Sequence, residues 1–197
     1  KLKKLTQTAT YAPHFISTVI VCSMLTLFLS PSAGFVNKII ELFGGEAVNF
    51  MANPDNFKHI YVWSNTWQHT GWSSIIYVAA LSSVDPALHE SAVVDGATRM
   101  QRIIHINLPS LAPTIVIQLI LCCGSILVSD FEKVLILQKP AIMEAADVLS
   151  TYVYRIGIQQ AQFSLSSAIG LFNSLVNFIV LITINKMCRR IGDTSLW

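Results

Sequence analysis

Four long stretches of the chain contain no Asp, Glu, Lys or Arg, and apolar residues dominate them: 5–37, 59–84, 103–129 and 156–185. A helix needs about 20 mostly apolar residues to cross the hydrocarbon core of a membrane, and each stretch supplies that many. The pattern predicts an all-α polytopic membrane protein, built as a single transmembrane domain over residues 1–197. The predicted spans are about 13–29, 59–84, 109–129 and 164–185.

The segments between the spans carry signals of shorter elements. Residues 35–43 place apolar side chains at helical spacing and end at Gly44 and Gly45, which predicts a short amphipathic helix at the membrane interface. Residues 53–55 read Asn-Pro-Asp, which indicates a turn. Residues 141–163 read as helical.

Two of the predicted spans carry polar side chains. The second holds several aromatic rings together with Asn65, Gln68 and His69, and the fourth places Asn173 and Asn177 on one helix face. Polar residues in a span usually face the bundle interior or a cavity. Hydrogen bonds between helices and contact with a polar solute both fit this pattern, and the aromatic rings also fit packing or interface anchoring.

Composition narrows the class of protein. Hydrophobic residues make up 53% of the chain and charged residues 12%, about half of the roughly 25% typical of soluble domains. This excludes a disordered chain and a disulfide-rich secreted scaffold, and it argues against a soluble enzyme. The net charge of +2 forms no basic stripe, so no nucleic-acid partner is expected. The four cysteines lack metal-ligand spacing, so no metal site is expected.

The basic residues predict the orientation, because cytoplasmic loops carry an excess of Lys and Arg. One side of the predicted topology carries eight of them: Lys1, Lys3, Lys4, Arg99, Arg102, Lys186, Arg189 and Arg190. The opposite side carries five: Lys38, Lys58, Lys133, Lys139 and Arg155. Both ends of this chain and the loop 85–108 are therefore predicted to be cytoplasmic.

The loop 85–108 has the strongest local signals. Asp85 and Pro86 are typical of a helix start, and the helix is predicted to run to about Asp95. Gly96 permits a sharp turn before a second short helix, at about 98–105, and Leu108 with Pro109 leads back into the membrane. A protruding helix–glycine–helix suits docking into a groove on a soluble partner.

The spacing within this loop resembles the EAA loop of ABC-importer permeases. The family pattern is Glu-Ala-Ala, three residues, Gly, nine residues, Ile, one residue, Leu-Pro. The chain matches every spacing and departs only at Ser91, where Ala is usual; the matching residues are Glu90, Ala92, Gly96, Ile106, Leu108 and Pro109. Further likeness to the oligosaccharide branch lies in residues 95–97, 101–102, 105–109 and 192–197. Such permeases usually have about six spans, so we expect this chain to be the later part of a longer protein.

The resemblance implies a transport subunit without catalytic residues or a cofactor of its own. No Gly-x-x-x-x-Gly-Lys-Ser/Thr phosphate loop occurs, so ATP and Mg are expected on the partner ATPase. The residues expected to couple to that ATPase are Glu90, Ser91, Ala92, Asp95, Gly96, Arg99, Arg102, Ile106, Leu108 and Pro109. The residues predicted to line a substrate path are Asn65, Trp67, Gln68, His69, Asn173 and Asn177.

The resemblance also implies a set of partners in a prokaryotic inner or plasma membrane. They are a second permease subunit, related or identical, two copies of a cytoplasmic ATPase subunit, an extracellular solute-binding protein, an oligosaccharide and membrane lipid.

Three alternatives to an oligosaccharide importer permease remain. One is a permease for another small solute, such as an amino acid or a peptide. A membrane-embedded enzyme would need carboxylates inside the spans, but all acidic residues lie outside them. A purely structural anchor would not need the ordered helix–glycine–helix loop.

Overall fold

The structure, a computed structural model, describes residues 2–191 and the side chains of residues 4–190. Lys1, the side chain of Lys3 and the stretch 192–197, to which parts of the topology and family predictions refer, lie outside the described residues. Throughout the described range the regular structure is helical. The α-helices are α1 Leu2–Tyr11, α2 Thr18–Phe28, α3 Phe35–Leu42, α4 Pro54–Ser82, α5 Pro86–Val94, α6 Arg99–Arg102, α7 Leu108–Gly124, α8 Phe131–Leu137, α9 Met143–Ala146, α10 Leu149–Tyr154 and α11 Phe163–Ile191.

Two helical stretches are long and apolar enough to cross a membrane, Arg99–Gly124 and Phe163–Arg190. Phe163–Arg190 contains the predicted fourth span, whereas Arg99–Gly124 ends at Gly124, before the predicted end of the third span at residue 129. Helix α4 has 29 residues, so it is long enough to span, but it is too polar to meet the same criterion. Its polar and aromatic side chains, noted in the sequence, account for that difference.

The predicted first span, 13–29, is not one straight helix. The chain forms a 3-10 turn at Ala12–Phe15, becomes extended at Ile16 and Ser17, and then enters α2. The helical arms Lys4–Phe15 and Thr18–Phe28 meet at 95°. Pro13 lacks an N–H and its ring disfavours helical geometry in the preceding residue, so α1 ends just before it. We call residues 12–17 the elbow.

The third predicted span begins earlier than expected. The second helix of the loop 85–108 does not stop at Leu108 and Pro109, because a π-helical turn at Ile103–Asn107 joins α6 to α7 without a break. The wider π turn accommodates Pro109, which has no N–H to continue the regular ladder. One helical stretch of 26 residues results.

The segments outside these helices agree in part with the elements predicted from the sequence. Helix α3 ends at Leu42, and Gly44 has a positive φ of 84°, as a closing glycine requires. The side chain of Asn53 accepts a hydrogen bond from the N–H of Asp55 at the start of α4. Residues 141–163 are helical in short pieces rather than as one helix, with a π turn at Arg155–Gln159.

The chain divides into two compact units. The first contains the chain through Trp72 together with Val128–Leu171, and the second contains Ser73–Leu127 and the chain from Phe172. The first unit holds a buried cluster made of Cys22, Met51, Phe57, Val134, Leu137, Ile142 and Ala146. In the second unit α7 packs closely on α11, because a Cβ on Gly124 would lie 2.6 Å from the Cδ1 atom of Leu181.

Candidate functional site

The turn between α5 and α6 satisfies its own backbone. The side chain of Asp85 accepts from the N–H of Ala87 at 2.9 Å and caps α5. At the other end, the N–H of Ala97 donates to Ala92 O at 2.8 Å and the N–H of Gly96 donates to Val93 O at 3.0 Å. These bonds form a Schellman motif, which needs the positive φ of 76° that Gly96 adopts.

A capping box follows the glycine directly. The Oε1 atom of Gln101 accepts from the N–H of Thr98 at 2.8 Å, while the Thr98 hydroxyl caps the N–H of Gln101. Two interlocking caps on either side of Gly96 define one geometry for the helix–glycine–helix. The sequence predicted the two helices and the turn, and the structure adds the bonds that fix them.

The side chains of this loop contrast with its satisfied backbone. Val94 is 87% exposed and Met100 is 64% exposed, so the tip of the loop is apolar and uncovered. Glu90, Asp95 and Arg99 are exposed, and none of them enters an ion pair within the described residues. Ser91, the one departure from the family pattern, satisfies its hydroxyl by donating to Leu88 O at 3.2 Å.

A shallow pocket of about 320 Å³ lies beside the turn. Asp95, Gln101, Arg102 and Ile106 contribute to its lining, and the buried Nε atom of Arg102 has no hydrogen-bond partner among the residues that the structure describes. Half of the residues expected to couple to an ATPase therefore meet here: Ala92, Asp95, Gly96, Arg102 and Ile106 line the pocket. Glu90 and Arg99 lie exposed on the flanking helices, and Leu108 is 54% exposed where α7 begins, next to Pro109.

The polar residues of α4 divide into two groups. Trp67 lies with Trp63 and Ser64 on an apolar groove of about 360 Å³ that α2 completes. Asn65 and Gln68 instead contact the Nζ atom of Lys133, at 3.3 Å and 2.9 Å between the heavy atoms. The four residues that the sequence places on one polar stretch therefore lie in different surroundings: Asn65, Trp67, Gln68 and His69.

His69 belongs to a cluster of rings at the elbow. Its Nδ1 atom lies 3.3 Å from the Nδ1 atom of His14, within hydrogen-bonding distance. The His14 ring stacks on Trp72 at 4.5 Å between centroids. Gly71 allows this contact, because a Cβ at that position would lie 1.8 Å from Thr10 O.

The sequence did not predict that Lys133 contacts Asn65 and Gln68. This lysine was counted among the basic residues of an outer loop, but its side chain is fully buried. The available signal was its helical position: Lys133 lies four residues before Leu137, on the buried face of α8.

Asn173 and Asn177 lie one turn apart on α11. Their side-chain Oδ1 atoms are buried and accept no hydrogen bond within the described part of the chain. A buried amide oxygen without a donor costs free energy, about 1–3 kcal/mol. These two oxygens are therefore acceptors that lack a donor, and they face the same way.

One ion pair joins two residues of the segment 141–163. The Arg155 guanidinium donates to both carboxylate oxygens of Asp147, and the Thr151 hydroxyl donates to the same carboxylate at 3.0 Å. These hydrogen bonds, that of Arg155 first, hold the pKa of the Asp147 carboxyl below its usual value. The guanidinium also lies 5.5 Å from the centroid of the Tyr152 ring.

Comparison with known proteins adds two kinds of match. The sequence matches the family described as "Binding-protein-dependent transport system inner membrane component" over residues 2–191. It is 40% identical over 195 residues to the polygalacturonan/rhamnogalacturonan transport system permease protein YteP of Bacillus subtilis, and 38% identical to protein LplB of the same organism. Both alignments cover 99% of this chain and 61% of the relative, so the chain spans about three fifths of their length.

Solved structures agree with these matches. A bacterial alginate ABC transporter, crystallised in complex with an alginate pentasaccharide-bound periplasmic protein, contains a chain that superposes with a TM-score of 0.93 at 45% identity. The superposition covers 99% of this chain and 68% of that one. A second structure, of a bacterial ABC transporter involved in import of the acidic polysaccharide alginate, gives 0.92 at 46% identity, covering 97% and 67%. The chain belongs to the family of inner-membrane components of binding-protein-dependent transport systems.

Proposed function

We propose that this chain is the membrane subunit of an ATP-driven importer and forms the path for an oligosaccharide. One observation carries the proposal: a helix–glycine–helix that is capped and closed by its own hydrogen bonds presents an apolar tip, and its exposed charges form no ion pair among the described residues. A loop that is rigid by its own hydrogen bonds, yet leaves its apolar side chains uncovered, is suited to insertion into a partner.

The partner we propose for this loop is a cytoplasmic ATPase subunit, present in two copies. Those subunits bind ATP and Mg, and this chain contributes no residue to the hydrolysis. Closure of the ATPase pair moves the two docking loops, one from this chain and one from a second, related or identical permease subunit. An extracellular binding protein delivers the solute on the opposite side of the membrane.

Asn173 and Asn177 are the strongest candidates for contact with the solute. Sugar hydroxyls are donors that match unpaired amide oxygens, and two acceptors one turn apart suit neighbouring hydroxyls of one ring. Asn65, Trp67, Gln68 and His69 remain candidates from the sequence, although both ends of the Gln68 amide already have partners. Relatives named for polygalacturonan and alginate make an acidic oligosaccharide the first class to test.

The proposal is tested by assembly. Purification of the chain from native membranes in mild detergent should recover a soluble ATPase subunit. The reconstituted complex should then hydrolyse ATP faster when the binding protein carries an acidic oligosaccharide than when it is empty. A neutral oligosaccharide, an amino acid and a peptide are the matched alternatives, and stimulation by one of the last two would overturn the substrate class.

The docking residue is tested by charge. Glu90→Lys should weaken recovery of the ATPase, because it reverses an exposed charge at the proposed interface. A charge-assisted hydrogen bond contributes about 1.5–3 kcal/mol, so association should fall by roughly tenfold or more. Glu46→Lys, an exposed site on the opposite side of the predicted topology, is the control. Equal recovery from both variants would contradict the assignment of Glu90.

The orientation is tested by labelling. Single cysteines at Gly45 and Ala97, in a background without the native cysteines, should react with an impermeant reagent from opposite sides of the membrane. We expect labelling at residue 45 in intact cells and labelling at residue 97 only after the membrane is opened. Reaction of both from outside would reverse the predicted cytoplasmic loop.

A further inference from the structure

A lysine ammonium lies inside the first unit and forms no ion pair with a carboxylate of the described residues. The side chain of Lys133 is fully buried, and its Nζ atom donates to Gln68 Oε1 at 2.9 Å and to Asn65 Oδ1 at 3.3 Å. The neighbouring Asp130 uses its carboxylate to cap α8, accepting from the backbone N–H of Lys133 at 3.2 Å. A buried charge is costly unless it is paired, so neutral partners for this ammonium call for an explanation.

Gln68 links this ammonium to the elbow. Its Nε2 atom donates to Ile16 O at 2.9 Å, and Ile16 lies where the chain is extended between the 3-10 turn and α2. Because the helix is broken there, this carbonyl depends on a side-chain donor. A continuous chain of hydrogen bonds therefore runs from Lys133 on α8, through Gln68 on α4, to the elbow. We call Ile16, Asn65, Gln68 and Lys133 the junction.

Little water reaches the junction to replace a lost bond. Gln68 is 2% exposed, and the thiol of the buried Cys22 lies 4.0 Å from Lys133 O on its far side. The junction thus holds the 95° bend with bonds from one ammonium to two neutral amide oxygens. Such bonds are strong enough to define a geometry, yet they are weaker than a buried ion pair, which is very costly to break.

We propose that Lys133 is a positioning residue for transport, which holds the elbow against α4 through Gln68 and releases it in each transport cycle. The inference rests on the proposed importer function. A broken helix can pivot at its break, and the junction is the polar contact that opposes that movement. An amide at position 65, where a carboxylate would bind the ammonium more tightly, keeps the contact reversible.

The first test strengthens the junction. Asn65→Asp changes the amide oxygen that faces Lys133 into a carboxylate of the same shape, and the Gln68 bonds remain. We expect a higher unfolding temperature together with a transport rate at least about fivefold lower, the low end of typical coupling between sites. Asn56→Asp, which adds the same charge at another half-buried position, near the start of α4, is the control. A purely structural junction would become more stable without slower transport.

The second test removes the junction and rebuilds it. Lys133→Met and Gln68→Lys should each lower the transport rate. The combination of Gln68→Lys with Lys133→Gln should restore much of it, because an ammonium at position 68 reaches Ile16 O and the new amide. Lys139→Met, a change at a half-buried lysine of the same segment, is the control. Absence of rescue by the exchanged pair would overturn the hydrogen-bonded chain.

The movement itself is measured with spin labels at Leu5 and Leu27. They are 68% and 60% exposed, one on each arm of the bend. In the assembled transporter we expect the distance between the labels to differ between the nucleotide-free and ATP-bound states, and to stay constant in Asn65→Asp. If ATP changes the distance equally in both proteins, the junction is not a latch. If the unaltered transporter neither transports nor hydrolyses ATP, the importer proposal fails instead.

Discussion

The junction around Lys133 and the turn at Gly96 differ in which of their polar groups are hydrogen-bonded within the chain. In the junction Gln68 and Lys133 are buried, Asn65 is half-buried, and each of these side chains is bonded to another part of the same unit. At the turn only the backbone is satisfied internally, while the side chains of Glu90 and Arg99 face solvent without an ion pair among the described residues. The first arrangement fixes the shape of the chain, and the second leaves charged and apolar side chains exposed on a loop of defined geometry.

The largest expected effect on transport comes from the turn. Gly96→Val places a β-branched residue at a φ of 76°, which costs about 1–2 kcal/mol and redirects α6. We expect membrane insertion to be retained and ATP-dependent transport to fall about five- to thirtyfold, which is the factor that this free energy represents if the loop docks as proposed. The measurement is uptake into reconstituted vesicles, alongside recovery of the ATPase.

Gly96→Asn is the matched control for this change, because Asn tolerates positive φ better than Val does. Transport by the Asn variant should stay near that of the unaltered chain. Full ATPase recovery and full transport by Gly96→Val would show that the turn is not a docking element, and the contrast with the junction would disappear.

Asn37 is a second buried amide that, like Gln68 in the junction, bonds to other parts of the same unit. Asn37 is 1% exposed and forms three hydrogen bonds, to Ser30 O, to Val48 O and from the N–H of Val48. Asn37→Ala should lower the free energy of unfolding by about 3 kcal/mol, roughly 1 kcal/mol for each bond. Thermal unfolding in detergent measures it, with the exposed Asn49→Ala as control. Equal unfolding temperatures for Asn37→Ala and Asn49→Ala would show that the hydrogen bonds of Asn37 do not stabilise the fold.

Asn173 and Asn177 lie within a predicted span, and their side-chain oxygens accept no hydrogen bond within the described residues. Replacing both by Ala should reduce transport several-fold, since one hydrogen bond contributes about 0.5–1.5 kcal/mol. Because their oxygens have no donor within the described residues, the unfolding temperature should stay level or rise. A large loss of stability with unaltered transport per folded molecule would place both residues in helix packing.

The smallest effect concerns the ion pair in the segment 141–163. The pKa of Asp147 is lowered, mainly by its hydrogen bond to Arg155, so its contribution to stability is present above the ordinary carboxyl value of 3.8. That contribution is lost as the pH falls below 3.8 and through the lower pKa of the folded state. The carboxylate is partly exposed, so we expect less than about 1 kcal/mol.

Asp147→Asn should remove this part of the pH dependence. The measurement is the unfolding temperature of both proteins between about pH 7 and pH 3, where paired carboxylates become protonated. The two curves should converge at the acid end. Parallel curves over the whole range would show that Asp147 gains nothing from Arg155.

The sequence was sufficient to predict the structure wherever that structure depends on residues only a few positions apart. Asp85, Gly96 and the Thr98–Gln101 pair have turn and cap chemistry that acts within a few residues, so the docking loop was predictable. The elbow was not, because Pro13 is equally typical of a helix start, and the Gln68 donor to Ile16 O comes from 52 residues away. The burial of Lys133 likewise depends on α4, which no window around residue 133 contains.

The π turn has a mechanical consequence for the membrane domain. Because it joins α6 to α7, Arg99–Gly124 is one rod of 26 residues, about 39 Å long at 1.5 Å per residue. Such a rod acts as a lever: a tilt of about 10° around its Arg99 end displaces its Gly124 end by about 7 Å, from the same length. A small rotation at the tip of the loop is thereby converted into a displacement larger than one helical turn, because the helix continues through the π turn without a break.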